Sequence, residues 1–209
     1  MCSSDLEDGL VGEQAVDALR DALKAGVQVA VAPQLFPTPP AVARQVIALA
    51  DIEPGMAVLE PSAGTGNLLD ALPEGVNATA VELNRNLSER LLHHPKVAAL
   101  VPGDFLDFNP GITFERIVMN PPFKNGADIQ HVQHALSMLA PGGRLVSIVA
   151  AGPRQQAWFG DYDGAAWIPL PDDTFAEQGT SVRTAIVVID KAADARQGIG
   201  RVAAEPASV

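Results

Sequence analysis

The chain has 209 residues, a formal net charge of −11 and one cysteine, Cys2. A lone cysteine excludes a disulfide framework and a cysteine-rich zinc site, and a reducing, cytoplasmic setting is the expectation. With 47% hydrophobic residues and no apolar run near the length of a membrane span, the composition predicts a full-sized globular core and no membrane segment.

No signal peptide is read at the start. Residues 1 to about 11 read as a polar leader. Gly12 to Ala25 then carries Ala15, Val16, Leu19, Ala22 and Leu23 at helical spacing, closed by Gly26. Residues 1–33 are therefore assigned to an N-terminal leader and helix, 34–191 to the main domain and 192–209 to a disordered tail. In the main domain, Thr38 is expected to cap a helix with Pro39 at its first position, followed by Ala41 to Ala50.

Strand and helix then alternate. Strands are expected over Met56–Glu60, Asn77–Val81, Val97–Val101, Arg116–Met119 and Arg144–Ala151. Helices are expected over Asn67–Leu72, Arg85–Leu92 and Asp128–Leu139, the last stopped by Pro141-Gly142-Gly143. Two further strands, Ala166–Leu170 and Thr184–Asp190, are joined by a loop, which suggests an antiparallel pair at the sheet edge. The fold class is α/β: a Rossmann-like, doubly wound, seven-stranded sheet, mostly parallel with an antiparallel edge strand.

Ligands of such sheets bind outside the C-terminal strand ends. The first strand ends in Glu60-Pro61-Ser62-Ala63-Gly64-Thr65-Gly66, where two glycines let backbone approach a ligand closely. Glu82 follows Glu60 by 22 residues at the end of the second strand, where a carboxylate grips a ribose diol. After the third strand, Asp104 is placed to accept from an adenine amine, with Phe105 against its ring. A nicotinamide site wants a third glycine where Leu69 stands, and no triphosphate-binding loop is present. S-adenosylmethionine fits better.

The fourth strand ends in Asn120-Pro121-Pro122-Phe123. Neither proline can donate to a ladder, so the strand stops in a stiff rim of carbonyl oxygens and one side-chain amide. The exocyclic amine of a nucleobase is a poor nucleophile, its lone pair delocalised into the ring. Two acceptors, the Asn120 side-chain oxygen and the Pro121 carbonyl, would take its hydrogens, and Phe123 would stack on the base. His131 and His134, three residues apart on one helix, lack a third ligand and are read as surface residues rather than a metal site. Lys124, Arg154 and Arg183 follow strands at the same edge and are the candidate nucleic-acid contacts. An acidic chain must bind phosphate through such a local patch. The loop Gln155 to Gly164 and the segment Phe175 to Arg183 are substrate-side candidates.

The order Phe36-Pro37-Thr38-Pro39, Glu60-Pro61-Ser62-Ala63-Gly64-Thr65-Gly66, Glu82, Gly103-Asp104-Phe105 and Asn120-Pro121-Pro122-Phe123 resembles the class I S-adenosylmethionine-dependent methyltransferases. More narrowly it resembles their amino-methylating branch, which includes the adenine-N6 DNA methyltransferases. The resemblance implies that Phe36 and Thr38 border the methionine end of the cofactor, with Glu60, Ala63, Gly64 and Gly66 as the floor of that pocket. Glu82 would hold the ribose, Asp104 and Phe105 the adenine, and Asn120 to Phe123 the target amine. Adenine N6 in DNA is the expected target. The alternatives are RNA (guanine N2 or adenine N6), protein glutamine N5, or a non-catalytic cofactor-binding subunit. A nucleic-acid partner is expected, along with a protein partner that supplies target recognition.

Overall fold

Alternation of apolar residues along the strands divides the core into two layers. Val58 and Leu59 are neighbours on one strand yet join different clusters, as do Val118 and its neighbours Ile117 and Met119. The sheet between these layers was obtained as a computed structural model, which describes residues 36–193. The proposed leader and helix of residues 1–33 and the proposed tail beyond residue 193 lie outside the described residues.

The elements run α1 (Pro40–Ala50), β1 (Val58–Glu60), α2 (Asn67–Ala71), β2 (Ala78–Glu82), α3 (Arg85–Leu91), β3 (Val97–Pro102), β4 (Phe114–Met119), α4 (Ala127–Met138), β5 (Leu139–Ala150), α5 (Pro153–Gly160), β6 (Ala165–Pro169) and β7 (Thr184–Asp190). The seven strands lie in the order β3-β2-β1-β4-β5-β7-β6. Strands β1 to β5 pair in parallel, whereas β7 is antiparallel to both β5 and β6. The loop between the last two strands does make an antiparallel pair at this edge. β7 itself sits one place inward, with β6 outermost. Helices α1, α2 and α3 cover one face and α4 and α5 the other.

Several boundaries differ from those the sequence suggested. Pro39 rather than Thr38 occupies the N-cap of α1, and it makes no side-chain cap bond. The expected loop from Gln155 is largely α5, whose Pro153 sits in the first turn, where its missing N–H costs nothing. Pro141-Gly142-Gly143 stops no helix, since α4 already ends at Met138. The triplet instead forms a bulge in β5, with Gly142 at φ 74°. There Phe114 pairs with Leu139, but Arg116, two residues on, pairs with Arg144. Within the loop after β3, Phe105–Asp107 makes one 3-10 turn.

Basic side chains secure the N-terminal end of the sheet. Arg116 Nε donates to the Ala50 and Asp51 carbonyls, and Arg144 Nη1 to that of Leu49. These are the unmet last carbonyls of α1. Lys191 Nζ does the same for Leu136 and Leu139 at the end of α4, and Lys96 Nζ for Asp70 and Leu72 at the end of α2. Four of the chain's 14 Lys and Arg residues are thus committed to helix ends.

Candidate active site

The chain crosses over where β1 is flanked by β2 on one side and β4 on the other, so a crevice opens between the C-terminal ends of β1 and β4. Glu60 closes β1 and Asn120 follows the last residue of β4. The turn after β1 is held tightly. Gly66 (φ 87°) donates to the Ala63 carbonyl at 2.8 Å, and Ala63 to that of Val81 at 3.1 Å. The Gly66 backbone angle favours glycine, and a Cβ there would stand a tight 3.2 Å from Leu91 Cδ2.

Glu82 bridges two loops. Its Oε2 accepts from the Gly64 N–H at 2.6 Å and its Oε1 from the Asn84 N–H at 2.7 Å. A carboxylate has about four lone-pair sites, so two remain for a ligand. Glu60 is 1% exposed, and its Oε2 has no hydrogen-bond partner. Burial, then the nearby Glu82 and Asp70 charges, hold its pKa well above the usual carboxylate range, opposed by the Leu69 N–H.

Asn120 has a sharply divided environment. Its Nδ2 donates at 3.0 Å both to the Phe36 carbonyl and to Thr38 Oγ1, while its Oδ1 is buried and unpartnered. Thr38, 4% exposed, therefore faces Asn120 rather than the helix it precedes. Asn67 Nδ2 donates to the Thr38 carbonyl at 2.7 Å, tying this segment to the turn after β1. Pro121 is buried and Pro122 half-buried. Phe123 is 8% exposed, its ring stacked 6.3 Å from Phe36 and edge-on to Phe175 at 6.2 Å.

The adenine-side residues divide. Asp104 is exposed, with Oδ1 accepting from the Leu106 N–H at 2.9 Å. Phe105, 2% exposed, lies in the core between His131 and His134 at 5.5 and 4.8 Å. His131 is therefore buried and His134 half-buried, rather than both at the surface. His134 Nε2 donates to the Phe108 carbonyl at 2.9 Å, and His131 Nδ1 lies 3.4 Å from Ser62 Oγ. Burial lowers the His131 pKa, outweighing the pull of Asp104. Among the described residues, no group of three or more His, Cys, Asp or Glu is arranged to hold a metal.

Lys124, Arg154 and Arg183 are exposed and share one edge. Arg154 Nη1 donates at 3.2 Å to the carbonyl of Asn125, next to Lys124, and the Ala151 N–H donates at 2.7 Å to that of Arg183. Sequence reading missed Asp128 as a site-building residue. It is fully buried at the start of α4, accepting from the Ile129 and Ala150 N–H groups and from Gln155 Nε2, each at 3.0 Å. It thereby locks α5, which carries Arg154 and Gln155, to the helix that follows the Asn-Pro-Pro-Phe rim. A carboxylate at a helix start reads as a surface cap, so only tertiary packing reveals this role. Also missed was Leu83, 56% exposed beside Glu82, which with Leu100, Pro102 and Gly103 lines an apolar groove at the β2–β3 edge.

A protein from Listeria monocytogenes assigned to the class I S-adenosylmethionine-dependent methyltransferases superposes with a TM-score of 0.58 at 17% identity, covering 100% of this chain and 73% of that one. A type I restriction-enzyme modification subunit from Vibrio vulnificus gives 0.60 at 18%, over 91% of this chain and 51% of that one. The 23S rRNA methyltransferase ErmE gives 0.55 at 20%, over 76% and 70%. The chain has the class I methyltransferase fold. No family model matches it. In sequence, the type II methyltransferase M.TthHB8I of Thermus thermophilus is 34% identical over 86 residues, which is 41% of this chain and 20% of that protein. The chain thus spans about a fifth of the length of the curated relative it matches. Glu60, Glu82 and Asn120 end or follow β1, β2 and β4, three adjacent strands of this sheet.

Proposed function

We propose that the chain transfers a methyl group from S-adenosylmethionine to the N6 amine of adenine in DNA. The observation that carries this reading is the pair of unpartnered buried acceptors, Glu60 Oε2 and Asn120 Oδ1, at adjacent strand ends. A buried acceptor without a partner is costly, and a ligand bringing one donor to each would meet both. The residues present fit this cofactor: Glu60 faces its ammonium, Glu82 its ribose diol, and Leu83 with Pro102 its adenine.

Bound there, the cofactor would supply an electrophilic methyl on a sulfonium, so that the amine would take the methyl as the sulfur–carbon bond breaks and would then release a proton to solvent. Asn120 Oδ1 accepts from the target amine and holds its lone pair toward the methyl. The Pro121 carbonyl takes the second hydrogen. Phe123, wedged between Phe36 and Phe175, gives the base a rigid aromatic wall. Catalysis on this reading is positioning and electrostatics, with no general base. Lys124, Arg154 and Arg183 contact phosphate along the same edge, and a protein partner supplies sequence recognition.

The partial match to a type II methyltransferase favours DNA; the likeness to an rRNA methyltransferase keeps RNA as the second reading. Incubation with methyl-labelled S-adenosylmethionine and separate unmethylated DNA, RNA and protein pools tests this. The expected result is label in DNA, recovered after digestion as N6-methyl-deoxyadenosine. Label confined to RNA or protein would overturn the substrate, and none in any pool would overturn the activity.

A further inference from the structure

A side-chain amide is nearly symmetric in shape, so turning it over exchanges oxygen for nitrogen in the same space. At Asn120 this exchange would be ruinous for the proposed reaction. Nδ2 would meet the target amine donor to donor, and Oδ1 would face the Phe36 carbonyl acceptor to acceptor. The Phe36 carbonyl can only accept, which assigns Nδ2 to that side. Thr38 Oγ1 accepts the second Nδ2 hydrogen from the same direction.

Resting on the proposed function, we infer that Thr38 is a positioning residue: beside the acceptor-only Phe36 carbonyl, which sets the direction of the amide, its hydroxyl helps hold Asn120 Oδ1 toward the target amine. Thr38 is buried and contributes no cap to α1, so its hydroxyl is free for this contact. Its backbone is fixed in turn. The Thr38 carbonyl accepts from Asn67 Nδ2 at 2.7 Å, and Asn67 Oδ1 accepts from Thr65 Oγ1 at 2.6 Å. The turn proposed to floor the cofactor pocket is thereby linked to the Asn120 amide nitrogen through Thr65, Asn67 and Thr38.

The test compares Thr38→Val, which keeps the shape and removes the hydroxyl, with Thr38→Ser, which keeps the hydroxyl. In 15N-labelled protein, the Asn120 side-chain amide pair is identified by its loss in Asn120→Ala. Its hydrogens should exchange slowly in the parent and in Thr38→Ser, and roughly ten- to hundredfold faster in Thr38→Val, the scale of one lost buried hydrogen bond. Turnover of labelled methyl into unmethylated DNA should fall by a similar factor in Thr38→Val with the DNA KM nearly unchanged, and return in Thr38→Ser. Adding Thr38→Val to Asn120→Ala should cost nothing further. Unchanged amide exchange in a folded Thr38→Val protein would overturn the inference. So would an equal loss of turnover in the Asn120→Ala background. If Thr38→Val does not fold, Thr38→Ala takes its place. If the parent labels no polymer, the proposed function fails while amide exchange still decides the role of Thr38.

Discussion

The two ends of this sheet obey opposite rules. At the N-terminal ends of the parallel strands, charged side chains seek out unmet groups: Arg116 and Arg144 reach the end of α1, Lys191 that of α4, and Lys96 that of α2. At the C-terminal ends Glu82 and Asp128 are satisfied too, but other polar side chains are left unmet. Among the described residues, the buried side-chain atoms without partners are Glu60 Oε2, Asn120 Oδ1, Gln178 Oε1 and Thr184 Oγ1. Glu60 and Asn120 end or follow parallel strands; Thr184 opens β7 opposite Ala150, the end of β5; Gln178 lies in the connection entering β7. One end is built to hold the fold, and the other holds polar groups in reserve. Buried polar atoms are normally satisfied within a fold, so unmet ones gathered at one end of a sheet make that end the candidate ligand side.

The largest expected effect separates the two ends by what is lost. Asn120→Ala removes the unpartnered acceptor, and with it the Nδ2 donors to the Phe36 carbonyl and Thr38 Oγ1. Turnover is expected to fall by about 10²–10³ and S-adenosylmethionine affinity to stay near that of the parent, while the two lost Nδ2 hydrogen bonds lower stability by about 1–2 kcal/mol. A folded Asn120→Ala variant as active as the parent would break the comparison. Glu82→Ala comes next. Calorimetry should show cofactor binding weakened by about 1.5–3 kcal/mol, the scale of a charge-assisted hydrogen bond; unchanged affinity would move the ribose site elsewhere. Arg116→Met tests the opposite end. It keeps the apolar stem and removes the donors to Ala50 and Asp51, so denaturant unfolding should show a loss of about 1–2 kcal/mol. Turnover per folded molecule should not change.

The division also marks what the sequence made legible. Strand periodicity, the paired glycines 64 and 66 and the prolines 121 and 122 act locally, so the seven strands and the turns after β1 and β4 can be read along the chain, whereas α5 reads as a loop in the sequence. Three other features depend on who meets whom in space. Thr38 followed by Pro39 has the local signature of a helix cap, yet its hydroxyl is taken by an amide 82 residues away. His131 and His134 look polar and solvent-facing in sequence, but they enclose Phe105 because α4 lies against the loop after β3. Asp128 reads as a surface acid until Ala150 and Gln155 arrive to satisfy it. Each miss is a polar side chain whose partner is distant in sequence, the one kind of contact that periodicity carries no trace of.

The smallest expected effect is also the most diagnostic, because here weakening the site should strengthen the fold. Glu60 keeps its pKa well above the usual carboxylate range because burial and the nearby Glu82 and Asp70 charges disfavour its anion. The sign follows from proton counting. Between the ordinary carboxylate pKa and the raised native one, the folded chain holds a proton that the unfolded chain has released. Stability therefore falls as pH rises through that window, and above it the full penalty applies. Glu60→Gln removes the titrating group at nearly the same shape. The variant's stability should lose that downward slope, and above the window it should exceed the parent's by roughly 1 kcal/mol, the lower end of the cost of one unmet buried polar group. Its affinity for S-adenosylmethionine should fall, since an amide cannot balance an ammonium. Chemical denaturation at a series of pH values, with calorimetry alongside, reads both effects. If Glu60→Gln were less stable than the parent above the window, the Glu60 carboxylate would be helping to hold the fold, and the contrast between the two ends of the sheet would fail at its most buried residue.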